Sequence, residues 1–182
     1  MNPNPKFRLQ GIMLASLVFI ADQMVKYAML EPLQLKERGV IHIVSFFDLR
    51  YAENRGVSMS FLTADSDGER WALVALTAVI AVGVGVWMWR EKLRGDVLAL
   101  SLVLGGALGN IVDRVRYGYV VDYADLHFGA FRPFYIFNLA DACISIGVLI
   151  LLARAFLIGD KDAGRGPDVQ ETASNADIVE KS

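Results

Sequence analysis

Four apolar stretches, about 11–30, 71–89, 96–115 and 134–156, each have the length needed to cross a bilayer, and they leave few folds open to a chain of 182 residues. Lipid offers no hydrogen bonds, so each stretch must satisfy its own backbone as a helix. The expected fold is therefore an all-α membrane protein of four transmembrane helices, with a small β-containing extracytoplasmic segment at about 31–70. In that segment Ile41, Ile43, Phe46, Phe47 and Leu49 alternate with polar residues, which predicts short strands between Val40 and Tyr51.

Polar residues interrupt the apolar runs near their ends: Asp22, Gln23 and Lys26 in the first, Asn110 and Asp113 in the third, Asn138 and Asp141 in the fourth. An Asp at mid-membrane costs about 2.5–3.5 kcal/mol on insertion scales. Several in one small chain imply a shared polar cavity and a task. The second stretch carries no such residue and is bordered by Arg70, Trp71, Trp87, Trp89 and Arg90, as expected of interfacial anchors.

The short loop after the second span holds Arg90, Lys92 and Arg94, which places it in the cytoplasm. Four crossings then put both termini there, with 31–70 and 116–133 outside. The first span has no small-x-small site after its apolar core and reads as an anchor, not a cleaved leader. Residues 1–158 are expected to form one membrane domain. Residues 159–182, rich in Asp, Glu, Gly, Ser and Asn, are expected to be a disordered cytoplasmic tail.

Composition narrows the chemistry. A net charge of -2 offers no basic surface, so nucleic acid is not an expected partner. Cys143 is the single cysteine, and His42 and His127 are the only histidines, so neither a disulfide nor a zinc site is supplied. There is no His-Glu-x-x-His and no Gly-x-Ser-x-Gly, and neither histidine falls in a span. The glycines at 105, 106 and 109 are not followed by a P-loop lysine and read as helix-packing positions. Any catalysis must rest on carboxylates, without metal or cofactor.

Asn110, Asp113 and Arg114 stand three and four apart and share one helical face, as do Asn138 and Asp141. Placing the fourth helix start at Phe134 sets Asp141 about 10 Å into the helix. Asp122 and Asp125 lie just outside the third span. Two nearby carboxylates cannot both ionise easily, so one becomes base and the other acid, and water between them can attack an amide carbonyl. The bland readings are a structural pair between Asp22 and Lys26, a solvated or capping Asp125, and interhelical hydrogen bonds from Asn110 and Asn138.

Gly109-Asn110-x-x-Asp113-Arg114, Val121-Asp122-Tyr123, Phe137-Asn138-x-Ala140-Asp141, Asp22-Gln23 with Lys26, and Asn54-x-Gly56 with Ser60-Phe61 together resemble the lipoprotein signal peptidases, the signal peptidase II family of bacterial inner-membrane aspartyl proteases. The resemblance implies removal of the signal peptide from diacylglyceryl-modified prolipoproteins, on the amino side of the lipidated cysteine. It implies a catalytic pair at Asp122 and Asp141, with Asn54, Asn110, Asp113, Arg114 and Asn138 as supporting or substrate-binding residues, Asp22 and Lys26 as helix-positioning residues, and an active site near the extracytoplasmic face. Membrane lipid is the other implied partner, and the sequence leaves the oligomeric state open, a monomer being compatible with it. Asp113 is the rival partner for Asp141, but Arg114 beside it offers an ion pair, which ranks Asp122 first. Ser58 and Met59 depart from the alanine and aromatic residue frequent in the family. The alternative is a small proton-coupled carrier or assembly factor relaying protons through Asp22, Asp113 and Asp141. A carrier needs polar residues through the membrane depth, whereas the second span is wholly apolar and the acids gather toward one surface.

Overall fold

A computed structural model describes residues 4–56 and 67–163. The elements in chain order are α1 (Pro5–Leu30), α2 (Leu35–Arg38), β1 (Val40–Val44), β2 (Phe47–Asn54), α3 (Asp67–Arg90), α4 (Arg94–Tyr117), β3 (Val120–Leu126) and α5 (Leu139–Ala163). Four helical segments are long and apolar enough to cross a membrane: Pro5–Leu30, Gly68–Arg90, Arg94–Tyr117 and Leu139–Leu157. Their outward faces show why. Met13, Leu17, Met24, Val79, Val82 and Leu149 are all more than 60% exposed, which suits lipid and not water. The chain forms two compact units, Met1–Leu151 and Leu152–Ser182. Everything described below lies in the first.

The fourth span starts later than its apolar run suggests. Residues 134–138 are not helical, and Phe137 forms an isolated antiparallel bridge with Ala124 alongside β3. The reason is local: Asn138 is the helix cap. Its side-chain oxygen accepts from the N–H of Asp141 at 2.9 Å, and its own N–H donates to the Asp141 carboxylate at 3.2 Å, a reciprocal capping box. Asp141 therefore sits in the first turn of α5 at the mouth of the bundle, not 10 Å along it.

Helix α4 is the centre of the unit, and its glycines make that possible. A Cβ on Gly105 would stand 2.5 Å from the Ala15 carbonyl oxygen of α1, and one on Gly106 would stand 2.5 Å from the Ala140 carbonyl oxygen of α5. A Cβ on Gly109 would collide with the Asp22 carboxylate. Only glycine lets α1 and α5 approach α4 this closely. α4 ends where Gly118 takes a left-handed conformation (φ 86°) and its N–H bonds back to the Arg114 carbonyl at 3.1 Å.

The turn after α4 leads straight into β3, the third strand of an antiparallel sheet in the order β1-β2-β3. β3 pairs with β2 from Phe47↔Leu126 to Asn54↔Val120, with a register shift between Leu49 and Ala52. The two strands between Val40 and Tyr51 match the sequence pattern. β3 does not announce itself by alternation, because Val120 through Asp125 are all buried. Leu35, Tyr123 and Ala124 form a small core with Val25 and Met29 of α1, so the sheet is anchored on the end of the bundle where α1 finishes and α5 begins.

Candidate active site

Three spans and two strands deliver the polar side chains to one end of the bundle, and most of those side chains fall into two groups. The first surrounds Lys26. Its ammonium, buried in α1, meets the Asp22 carboxylate at 2.9 Å and the Asp113 carboxylate of α4 at 2.7 Å, and donates to the Asn110 amide oxygen at 3.1 Å. Gln23 adds donors to Asp113 (3.0 Å), Asp22 (3.3 Å) and the Gly109 carbonyl (3.3 Å). Asp22 and Asp113 are 0% exposed, yet each has a cation and further donors. Such satisfaction is what a buried charge requires.

Both acids also reach out to the backbone beside the second group. Asp113 accepts from the N–H of Val121 at 3.1 Å, and the next residue is Asp122. Asp22 accepts from the N–H of Ala140 at 3.0 Å, and the next residue is Asp141. The first turn of α5 is thereby capped in full. Leu139 donates to the Tyr123 hydroxyl at 3.1 Å, Ala140 to Asp22 and Asp141 to Asn138, so the N–H groups that open the helix all have partners. The Tyr123 phenol, pushed up by burial, stays a neutral hydroxyl fit for this task.

The second group holds Asp122 and Asp141 through two asparagines. Asn138, fully buried, donates to Asp122 at 2.6 Å and to the Asn110 oxygen at 3.2 Å. Asn110 in turn donates to Asp141 at 2.8 Å. Asn54, at the end of β2, adds a side-chain hydrogen bond to Asp122. No ion pair holds either acid among the described residues. Burial first, then the charge of Asp141, pushes Asp122 up to about 6, against the opposing pull of the Asn54 and Asn138 hydrogen bonds. A carboxyl group in that range exchanges a proton near neutrality.

Two cavities reach this pair. One of about 520 Å³ is lined by Ala52, Glu53, Asn54, Gly56, Asp122, Tyr135 and Ile136, at the β2 side. The other, about 260 Å³ and mostly apolar, is lined by Phe134, Phe137, Asp141, Ala142, Ser145 and Ile146 along α5. Asp122 thus shares its cavity with the polar side chains of Glu53 and Asn54, while Asp141 opens on a mostly apolar groove.

The seven residues Asn54, Asn110, Asp113, Arg114, Asp122, Asn138 and Asp141 are gathered at this end, with two differences from the sequence reading. Asp113 pairs with Lys26, not with Arg114, because Lys26 projects from the facing helix while Arg114 is its neighbour on the same helix. The Arg114 guanidinium lies within electrostatic reach of Asp141, Asp122 and Asp113, and its buried Nε has no hydrogen-bond partner among the described residues. Asp125, read as solvated or capping, is buried and contacts Arg50 and Arg132. Ser58, Met59 and Ser60-Phe61 lie outside the described residues, as does 164–182 of the expected tail. The capping role of Tyr123 had no signal in the sequence. Among the described residues, no cluster of His, Cys, Asp or Glu has the arrangement to hold a metal ion.

Four spans around a buried network of carboxylates and carboxamides define a multi-pass membrane enzyme of the aspartyl type, and comparison with known proteins agrees. Residues 14–157 match the family model described as Signal peptidase (SPase) II. A lipoprotein signal peptidase of Sphingopyxis alaskensis is 57% identical over 151 residues, covering 83% of this chain and 87% of that protein. One from Rhizorhabdus wittichii is 56% identical over 169 residues, covering 93% and 94%. A solved bacterial membrane enzyme, determined by the in meso method at 2.3 Å resolution, superposes with a TM-score of 0.69 at 27% identity, covering 88% of this chain and 94% of that one. The chain belongs to the signal peptidase II family of aspartic endopeptidases.

Proposed function

We propose that the chain removes the signal peptide from diacylglyceryl-modified prolipoproteins, cleaving on the amino side of the lipidated cysteine with a water activated between Asp122 and Asp141. The observation that carries this reading is the joining of the two acids through Asn138 and Asn110, with no ion pair to either acid among the described residues. Their placement between a cavity that carries Glu53 and Asn54 and a mostly apolar groove supports the substrate class, since a lipidated peptide needs both polar partners and an apolar surface.

Both oxygens of Asp141 accept N–H donors, so it is assigned the role of base. Asp122, up at about 6, is assigned the proton. Asp141 takes a proton from water as the oxygen attacks the scissile carbonyl carbon, while Asp122 hydrogen-bonds and protonates the carbonyl oxygen. Collapse of the tetrahedral intermediate breaks the C–N bond: the proton held by Asp141 goes to the leaving amine of the cysteine residue, and a hydroxyl proton of the intermediate returns to Asp122 as the carboxyl product forms. Asn54 and Asn138 orient Asp122, and Arg114 supplies a donor to the peptide. Asp22, Lys26 and Asp113 position the backbone next to each acid. Burial of acyl chains, at about 0.8 kcal/mol per methylene, provides binding that the carboxylates need not supply.

In this proposal residues 1–158 are the protease domain in the bacterial inner membrane. The basic loop Arg90–Arg94 and both termini are cytoplasmic, which sets the site at the extracytoplasmic face. The tail 159–182 has no part in catalysis, and a monomer without cofactor is sufficient. The test is cleavage of a diacylglyceryl-modified prolipoprotein by reconstituted protein. Asp122→Asn and Asp141→Asn, shown to be folded, are each expected to lose at least about 10³-fold in rate. Retained cleavage in either variant removes the pair, and Asp-dependent proton flux into liposomes without cleavage favours the carrier.

A further inference from the structure

Asp125 of β3 is 1% exposed, and two arginines share it. Arg50 of β2 brings its Nε to 3.1 Å from one carboxylate oxygen, and the Arg132 Nε donates at 3.1 and 3.3 Å. Among the described residues the terminal amino groups of both guanidiniums have no hydrogen-bond partner, and both side chains are close to half exposed, at 40% and 44%. They line a cavity of about 590 Å³ together with Asp125, Pro133, Phe134, Tyr135 and Ile136. The cluster carries one net positive charge, and its unused donors face a space large enough for a phosphate and its substituents.

The rim identifies the surroundings. Phe134 is 61% exposed and Tyr135 98%, and both lie only a few positions before Leu139, the first residue of the fourth span. Exposed aromatic side chains at that level belong to the membrane–water interface. We propose that this cavity binds the phosphate of a net-anionic phospholipid, held by the terminal amino groups of Arg50 and Arg132 while the aromatic rim contacts the upper acyl chains. Guanidinium groups pair with phosphate through two parallel hydrogen bonds, and Asp125 holds Arg132 by hydrogen bonds to its Nε and Arg50 by charge at 3.1 Å, which limits the freedom of both. A zwitterionic headgroup brings an ammonium that the pair repels. An acidic peptide matches the charge but leaves the apolar rim unexplained.

The cavity adjoins the site. Tyr135 and Ile136 line both it and the cavity of Asp122, so a bound headgroup stiffens the wall of the catalytic cleft. Binding itself is independent of the proposed proteolysis, and only the adjoining of a catalytic cleft rests on that reading.

The experiment measures retention of phosphatidylglycerol against phosphatidylcholine on the purified full chain by native mass spectrometry. Wild type is expected to prefer phosphatidylglycerol by about fivefold or more, the worth of one net interfacial charge. Arg50→Gln/Asp125→Asn/Arg132→Gln, which neutralises the cluster without stranding a buried carboxylate, is expected to lose the preference while keeping the wild-type unfolding temperature. If that variant does not fold, Arg50→Gln alone leaves the Arg132–Asp125 pair intact and is expected to lose most of it. Asp141→Asn is expected to retain the preference even though it cannot cleave, which separates the lipid site from the protease. No preference in wild type, or an equal one in the folded variants, overturns the proposal. Displacement of the bound lipid by millimolar inorganic phosphate at neutral pH also overturns it, in favour of a soluble anion. So does a dependence of cleavage on acidic residues after the substrate cysteine that vanishes with Arg50→Gln in phosphatidylcholine nanodiscs.

Discussion

The two groups of acids at the end of the bundle are built from the same residue type, stand within one hydrogen-bond network, and differ in how charge reaches them: Asp22 and Asp113 contact the Lys26 ammonium, whereas Asp122 and Asp141 accept from amides and have Arg114 only within electrostatic reach. A buried carboxylate with a cation at 2.7–2.9 Å is fixed, and its spare lone pairs hold backbone N–H groups in place. A buried carboxylate facing another carboxylate keeps a proton to exchange. The charged group is therefore scaffolding for the uncompensated one, and its two acids act on the residues immediately before Asp122 and Asp141.

The most severe way to break this contrast is to remove the shared cation. Lys26→Met strands two buried carboxylates and is expected to destabilise the protein by about 3–5 kcal/mol, read as a large fall in unfolding temperature in detergent. Neutralising all three charges, as Asp22→Asn/Lys26→Met/Asp113→Asn, is expected to recover most of that loss. Equal behaviour of the single and triple variants would show that the cluster does not work as an ionic unit.

Asp122 gives the opposite sign. With its folded value near 6 and the ordinary carboxylate value at 3.8, the native state holds more protons than the unfolded chain between those limits. Its burial therefore costs stability progressively as pH rises from about 4 to 6, with the full cost above that window. Asp122→Asn removes the cost. The variant is expected to be more stable than wild type by up to about 3 kcal/mol at pH 7, with the gap closing at pH 3. A variant less stable at pH 7 would mean that Asp122 is compensated after all. Infrared titration provides a second check, since a protonated carboxyl band lost near pH 6 should be missing from the variant.

Smaller effects come from the glycine seam. Gly109→Ala drives a methyl group into the Asp22 carboxylate and is expected to cost about 1–3 kcal/mol, with cleavage falling because Ala140 and Asp141 shift with Asp22. Gly83→Ala on α3, where a Cβ meets nothing within 4 Å, is expected to change stability by less than about 1 kcal/mol and leave cleavage unaltered. Equal responses at the two positions would remove the close approach from the account.

How much of this was legible beforehand follows the range of each interaction. Four spans, the β1–β2 pair and the small-residue seam are properties of contiguous residues, and apolar length, alternation and glycine spacing report them directly. The late start of α5 was readable in principle, since Asn138-x-x-Asp141 is a capping pattern, but the apolar Phe134–Phe137 ahead of it extends the hydrophobic run and conceals the cap. β3 was hidden for a related reason: a strand buried on both faces carries no period. The partner of Lys26 on α4 and the two arginines on Asp125 join residues 87, 75 and 7 positions apart, and no local pattern encodes the first two.

By itself the sequence determined that the chain has four helices long and apolar enough to cross a membrane, which residues are too costly to be there without purpose, and which family it belongs to. Hydropathy and residue type are local quantities, and they suffice for that. Which aspartate has a cation and which keeps a proton was decided only by the tertiary structure. All four acids are chemically identical until folding sets one pair against the Lys26 ammonium and the other against each other, because charge compensation depends on distance in space and not on distance along the chain.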